Sequence, residues 1–315
     1  MDLKQKNKYI ILIILLTLVF LFISDLNTNT YNNTHNQQLG YTNEDLNYLK
    51  SIYNNQQIAF ILNNNISKDI LFSYIETTGF ILEKILEYEQ IRFLNSLTHQ
   101  GAINLYNHPN IMKNFYQDIN KAFNTNNNLI LVNKNYALDK NYIPNNLVFA
   151  KDLRLLVDDN SRYYMKKEAY INLKALFNEA KKNELSLILS NAYRSYEKQD
   201  IIYEQYRLNF KDADYFSARP GHSEHQTGLA VDLTCKDAYY LLIEEFENTK
   251  EGIFIKQNAH LFGFIIRYPK DKTNITGYTY EPWHIRYVGS DVAKFIYQNN
   301  LTLEEYLLNY TFIPK

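Results

Sequence analysis

A carboxylate in the middle of an apolar strand constrains this chain more than any other local feature. Residues Ala230–Thr234 read Ala-Val-Asp-Leu-Thr, a short run that predicts a buried strand with Asp232 between Val231 and Leu233. Burying an ionised carboxylate is costly unless the fold supplies a partner. A bound cation is one such partner; an arginine or a backbone cap is another. This segment alone leaves both open.

Three segments carry chemistry: Asn191-Ala-Tyr-Arg-Ser195, Ser223–Asp232 and Glu281-Pro-Trp-His284. His225 lies in a turn after Pro220 and Gly221, seven residues before Asp232. Imidazole and carboxylate suit zinc, and a catalytic zinc keeps three protein ligands plus water. His225, Asp232 and His284 make such a set. Glu281 is then left over, three residues before a ligand and free to act on the water. In a regular strand these two positions would face opposite sides, but Pro282 has no N–H for a ladder. A bend there lets Glu281 and His284 converge. The other candidates read as structural: His99 and His108 are isolated, His260 lies on an apolar helix, His222 shapes the pocket, Trp283 packs, and Cys235 faces the core. Glu224 receives no catalytic role.

The chain has 315 residues, enough for a main core and an accessory region. With 33 Lys and Arg against 34 Asp and Glu, it lacks the basic excess that nucleic-acid binding demands. One cysteine excludes an intrachain disulfide. Lys4, Lys6 and Lys8 precede an apolar run, Tyr9–Ile23. As a helix this run is roughly 22–24 Å long, somewhat short of a hydrocarbon core of about 30 Å. Residues 1–25 are expected to be an uncleaved signal anchor, or else a cleaved signal, with the lysines cytoplasmic and the remainder extracytoplasmic. Residues 26–40, rich in Asn, Thr and Gln, form a spacer. Residues 41–124 form a helical accessory region, with helical spacing in Asn43–Asn54, Lys68–Ser96 and Pro109–Phe123. From residue 129 to 315 the pattern mixes. Strands are expected at Leu129–Val132, Leu185–Ser190 and Ala230–Thr234, and extended chain over Phe264–Tyr268 and Tyr278–Val288. Helices are expected at Arg162–Lys182, Tyr196–Phe210 and Thr249–Phe262. The class is α+β, with a small antiparallel sheet and flanking helices.

The order Ser-x-His-x-x-Gly-x-x-x-Asp, then Glu-Pro-Trp-His, resembles the VanY-type D-alanyl-D-alanine carboxypeptidases of the LAS zinc peptidases. The likeness includes Tyr193-Arg194-Ser195, Asn258–Pro269 and Thr276-Gly-Tyr278, and covers roughly Leu129 to Tyr310. It implies a LAS, hedgehog-like peptidase domain with Zn²⁺ on His225, Asp232 and His284. Glu281 would be the general base and then the acid, and Arg194 would face the scissile carbonyl. Gln199, Ser223 and Tyr268 would line the substrate pocket, with Gln199 and Ser223 placed to bond the terminal carboxylate. The implied activity removes the C-terminal D-alanine from peptidoglycan stem peptides. The rivals are L,D-carboxypeptidase action on tetrapeptides, cleavage of cross-links, and a wall-binding module without turnover.

Overall fold

The computed structural model describes residues 36–125 and 127–313. The apolar N-terminal run lies outside the described residues. Among those described, no helix is long and apolar enough to cross a membrane. The chain divides into two compact units at Gln90/Ile91. Ile91–Phe123, read from the sequence with the accessory region, therefore belong to the second unit.

In the first unit, α1 (Asn43–Ile52), α2 (Asn55–Asn63) and α3 (Lys68–Ile75) precede α4 (Ile85–Asn95), which runs through the division. Each of the first three starts where a side chain satisfies an orphan N–H. Thr42 and Asn54 form capping boxes, and Ser67 accepts from Ile70. Leu49, Ile61, Leu71 and Tyr74 are buried, and the ring of Tyr74 stacks on Phe80.

The second unit opens with α5 (His99–Asn107). Its Asn104 donates to the carbonyls of Leu308 and Thr311, at the end of α10 (Leu303–Tyr310). Helical spacing does not hold over Pro109–Phe123, which forms turns and a two-residue strand, Asn120–Lys121. Asn114 and Tyr116 take positive φ there, and the Asn135 amide donates to the carbonyls of Asn110 and Lys113, which a helix would pair with N–H groups four residues on. Leu129–Val132 is not a strand either. Ile130, Leu131 and Val132 are buried, but the carbonyls of Asn128 and Ile130 accept from the Arg286 guanidinium instead of a ladder.

The main sheet contains β1 (Ile188–Asn191), β2 (Ala230–Thr234), β3 (Phe264–Ile266) and β4 (His284–Tyr287) in the antiparallel order β1-β2-β4-β3. Alternation divides β2 and β4 into two chemistries. Val231, Leu233, Ile285 and Tyr287 enter the core with Ala169, Leu173, Leu176 and Ala180 of α6 (Lys167–Lys182). Asp232, His284 and Arg286 occupy the alternate positions and are also buried. α7 (Tyr196–Asn209) brings Gln199 to the cavity that Asp232 and His284 line, and α8 (Lys250–Asn258) packs Phe254 and Ile255 into the core with α6. Beyond β3, Ile265 packs with Ala293 and Ile296 of α9 (Ser290–Gln298) and with Leu303 and Leu307 of α10. The class is α+β with a small antiparallel sheet, as expected.

Candidate metal centre and active site

The turn before β2 determines where His225 points. Glu224–Thr227 form one 3₁₀ turn that ends at Gly228, whose φ of 68° is left-handed. A Cβ there would lie 2.8 Å from Leu147 Cδ2, so a side chain would strain the left-handed backbone and displace the end of Leu147. The Gly228 N–H donates to His225 O at 3.2 Å, and the Arg194 N–H reaches the same carbonyl at 3.2 Å. Nδ1–H of His225 donates to Ala192 O at 2.6 Å. A carbonyl only accepts, so this bond leaves the Nε2 lone pair free, 3.2 Å from Asp232 Oδ2.

Sheet register brings the other donors together. Asp232 and His284 are directly opposed on β2 and β4. His284 Nδ1 lies 2.9 Å from Asp232 Oδ1. Each of His225, Asp232 and His284 offers a ligand atom, these atoms lie within 4.8 Å of one another, and all three residues are buried. Ligands about 2.0–2.1 Å from a tetrahedral ion stand roughly 3.3 Å apart, which these separations approach. The electrostatics fit as well. Burial opposes a charge on His284, yet Asp232 and Glu224 raise its pKa to about 9, so the site favours positive charge. The donor set therefore fits a divalent N/O-ligated metal.

Glu281 ends a chain reversal. Its N–H donates to Tyr268 O at 3.0 Å, and the His284 N–H donates back to Glu281 O at 3.2 Å. The reversal at Pro282 sets Glu281 Oε2 3.9 Å from His284 Nδ1. Burial and then the charge of Asp232, partly offset by His284 and Arg194, push its carboxyl up to about 7. Arg194 enters from the loop before α7, with Nη2 3.8 Å from Asp232 Oδ2. One cavity of about 290 Å³ is lined by all of these and by Gln199, Ser223, Tyr268 and Trp283.

The expected pocket residues gather there, though not all with free polar groups. Gln199 accepts from Arg194 Nη1 at 2.8 Å and donates to Ala218 O at 2.7 Å, so it orients the guanidinium. The Tyr268 ring stacks on His284 at 5.1 Å between centroids. Ser223 is buried at the cavity wall. His222 stands apart, its Nδ1 bonded to Asn133 O at 2.8 Å.

Several contributors were missed in the sequence. Asn191 Nδ2 donates to Asp232 Oδ2 at 3.2 Å and is itself held by Arg162. Glu224, Arg267, Arg286 and Glu304 form a buried ion network beneath the centre. The two arginines carried the same signal as Asp232, a charge among strand-like apolar residues.

Three donors, one further carboxylate and one guanidinium around a single cavity define a class of site suited to metal-assisted hydrolysis. The family model for VanY D-alanyl-D-alanine carboxypeptidases matches residues 162–290. YodJ of Bacillus subtilis (strain 168) is 44% identical over 202 residues, 61% of this chain and 73% of that protein. VanXYC of Enterococcus gallinarum, a bifunctional D-Ala-D-Ala dipeptidase and carboxypeptidase, is 37% identical over 57% of this chain and 93% of its own length. Among solved structures, the LdcB LD-carboxypeptidase shares 43% identity at a TM-score of 0.58, covering 61% of this chain and 90% of its own. The chain belongs to the VanY D-alanyl-D-alanine carboxypeptidase family.

Proposed function

We propose that this protein is a zinc carboxypeptidase that releases the terminal D-alanine of peptidoglycan stem peptides, with the D-Ala-D-Ala bond of the pentapeptide as its substrate. The observation that carries the reading is the closed set of His225, Asp232 and His284 with the Glu281 carboxylate beside it in one cavity. VanXYC, acting on D-Ala-D-Ala, supports the choice of bond.

When bound by the three side chains, zinc supplies a Lewis acid that polarises a carbonyl and acidifies water. Glu281, beside the three ligands, takes a proton from the attacking water as oxygen bonds to the scissile carbonyl carbon. Negative charge then develops on the carbonyl oxygen, and the Arg194 guanidinium, fixed by Gln199, is placed to stabilise it. Glu281 returns the proton to the leaving nitrogen as the C–N bond breaks, releasing D-alanine. Burial of the set excludes bulk water from these charges.

A second reading, L,D-carboxypeptidase action on the tetrapeptide, is favoured by the likeness to LdcB. The full chain, loaded with zinc and incubated with defined disaccharide pentapeptide and tetrapeptide, separates the two by product mass. Loss of one D-alanine from the pentapeptide supports the first reading. Loss from the tetrapeptide alone moves the assignment to the second, and release from neither discards both.

The apolar run Tyr9–Ile23 motivates the further proposal that the protein is held at the membrane with its peptidase unit outside. Protease digestion of intact cells tests it: a peptidase unit protected until lysis would refute it.

A further inference from the structure

Two buried polar atoms near the proposed metal centre have no hydrogen-bond partner, and they face each other. They are His284 Nε2 and Glu224 Oε2, 3.6 Å apart. His284 is 4% exposed and Glu224 1%. The other oxygen of Glu224, Oε1, accepts from Arg267 Nε at 2.7 Å and from Arg286 Nη1. Arg267 is tied on its far side to both oxygens of Glu304, at 2.9 and 2.7 Å. Arg286 is tied to the carbonyls of Asn128 and Ile130. Glu224 is thus clamped through one oxygen while the other is aimed at the back of the imidazole. An unpaired buried carboxylate oxygen is costly, and a slight approach would turn the 3.6 Å separation into a hydrogen bond.

We infer that Glu224 is a positioning residue that holds His284 in the tautomer with its proton on Nε2, so that Nδ1 presents a lone pair to zinc. His284 has a choice that His225 lacks, because Nδ1 of His225 is bonded to a carbonyl at 2.6 Å and so must carry the proton. His284 Nδ1 faces Asp232 at 2.9 Å and by itself would keep a proton there. An acceptor at Nε2 makes the ligating tautomer the cheaper one and makes the ligand more basic. The inference rests on the zinc reading of the three ligands.

Glu224→Gln is the informative substitution. Both arginines demand its single oxygen, which turns the amide NH₂ toward Nε2 and favours the wrong tautomer. Glu304→Gln is the control, since it disturbs the same network through Arg267 without touching His284. Zinc affinity is measured on the full chain by chelator competition, alongside the melting temperature. Glu224→Gln is expected to weaken zinc about 10–100-fold, with Glu304→Gln within about twofold of wild type whatever its loss of stability. Equal zinc affinity in Glu224→Gln and wild type, or equal weakening in both variants, overturns the assignment. Wild-type protein that takes up no zinc overturns the metal centre, and this assignment with it. If Glu224→Gln fails to fold, two-bond ¹H–¹⁵N spectra of the zinc-loaded wild type decide. A proton on His284 Nε2 supports the inference, and a proton on Nδ1 overturns it.

Discussion

Asp232 and His284 are opposed residues of neighbouring antiparallel strands, and their side chains meet 2.9 Å apart on a face of the sheet from which apolar residues are absent at these two positions. The pairing makes the proposed metal centre part of the sheet register. A one-residue slip would turn both side chains to the opposite face and destroy the site. Asp232→Ala should therefore abolish tight zinc binding and remove the rise in melting temperature that zinc gives to wild type. Metal content after dialysis and melting with and without zinc check this, and undiminished zinc content would refute it.

Glu281 stands next to the donors but outside the set of three. Glu281→Gln should keep zinc stoichiometry while kcat falls by about 10²–10⁴. Product release followed by mass, with metal analysis on the same sample, tests both halves. A variant that lost its zinc would show Glu281 to be a ligand.

Arg194 and Gln199 act as one unit, since the Gln199 carbonyl fixes the guanidinium at 2.8 Å. Arg194→Ala should lower kcat by about 10²–10³. Gln199→Ala should cost less, and the double variant should be no slower than Arg194→Ala alone. Strictly additive losses would separate the two roles.

Lys134 is buried among the rings of Phe115, Tyr116, Tyr215 and Tyr278, with Nζ 4.6–5.7 Å from their centroids. Burial lowers its pKa to about 8. Between that value and an unfolded pKa of about 10.4, the unfolded chain holds a proton that the folded one has lost. Stability from this group therefore rises with pH across the window and is least below it. In Lys134→Met the rise should vanish, which melting temperatures from pH 7.5 to 10 measure against wild type. Parallel curves would refute the account.

Gly228 closes the turn that presents His225. Gly228→Ala should destabilise the protein by about 1–2 kcal/mol from the left-handed backbone alone, with more from the contact with Leu147. Denaturant unfolding checks it, and an unchanged midpoint would show that the turn can rearrange.

Much of this could be read in advance because it is local. Ala230–Thr234 is a strand over the residues expected, Tyr196–Asn209 is a helix starting at its Ser195 cap, and the chain bends at Pro282. Each follows from a few neighbouring residues: a cap hydroxyl, a missing N–H, a short apolar run. Pro109–Phe123 failed for the complementary reason. Its helical spacing was real, but the amide of Asn135, brought in from outside the segment, binds carbonyls that a helix would use.

By itself, the sequence determined the donor types, their spacing along the chain and the need of Asp232 for a partner, since residue chemistry and short-range geometry travel with the chain. The tertiary structure alone decided which partner each group meets. Strand order β1-β2-β4-β3 set Asp232 opposite His284, and packing beneath the sheet turned Glu224, a neighbour of His225 with no catalytic role expected, into the clamped carboxylate behind His284. The physical reason is the cost of buried charge. Arg267, Arg286, Glu224 and Glu304 are tolerable inside only as a set, and the set exists only once residues scattered over 81 positions have been folded together.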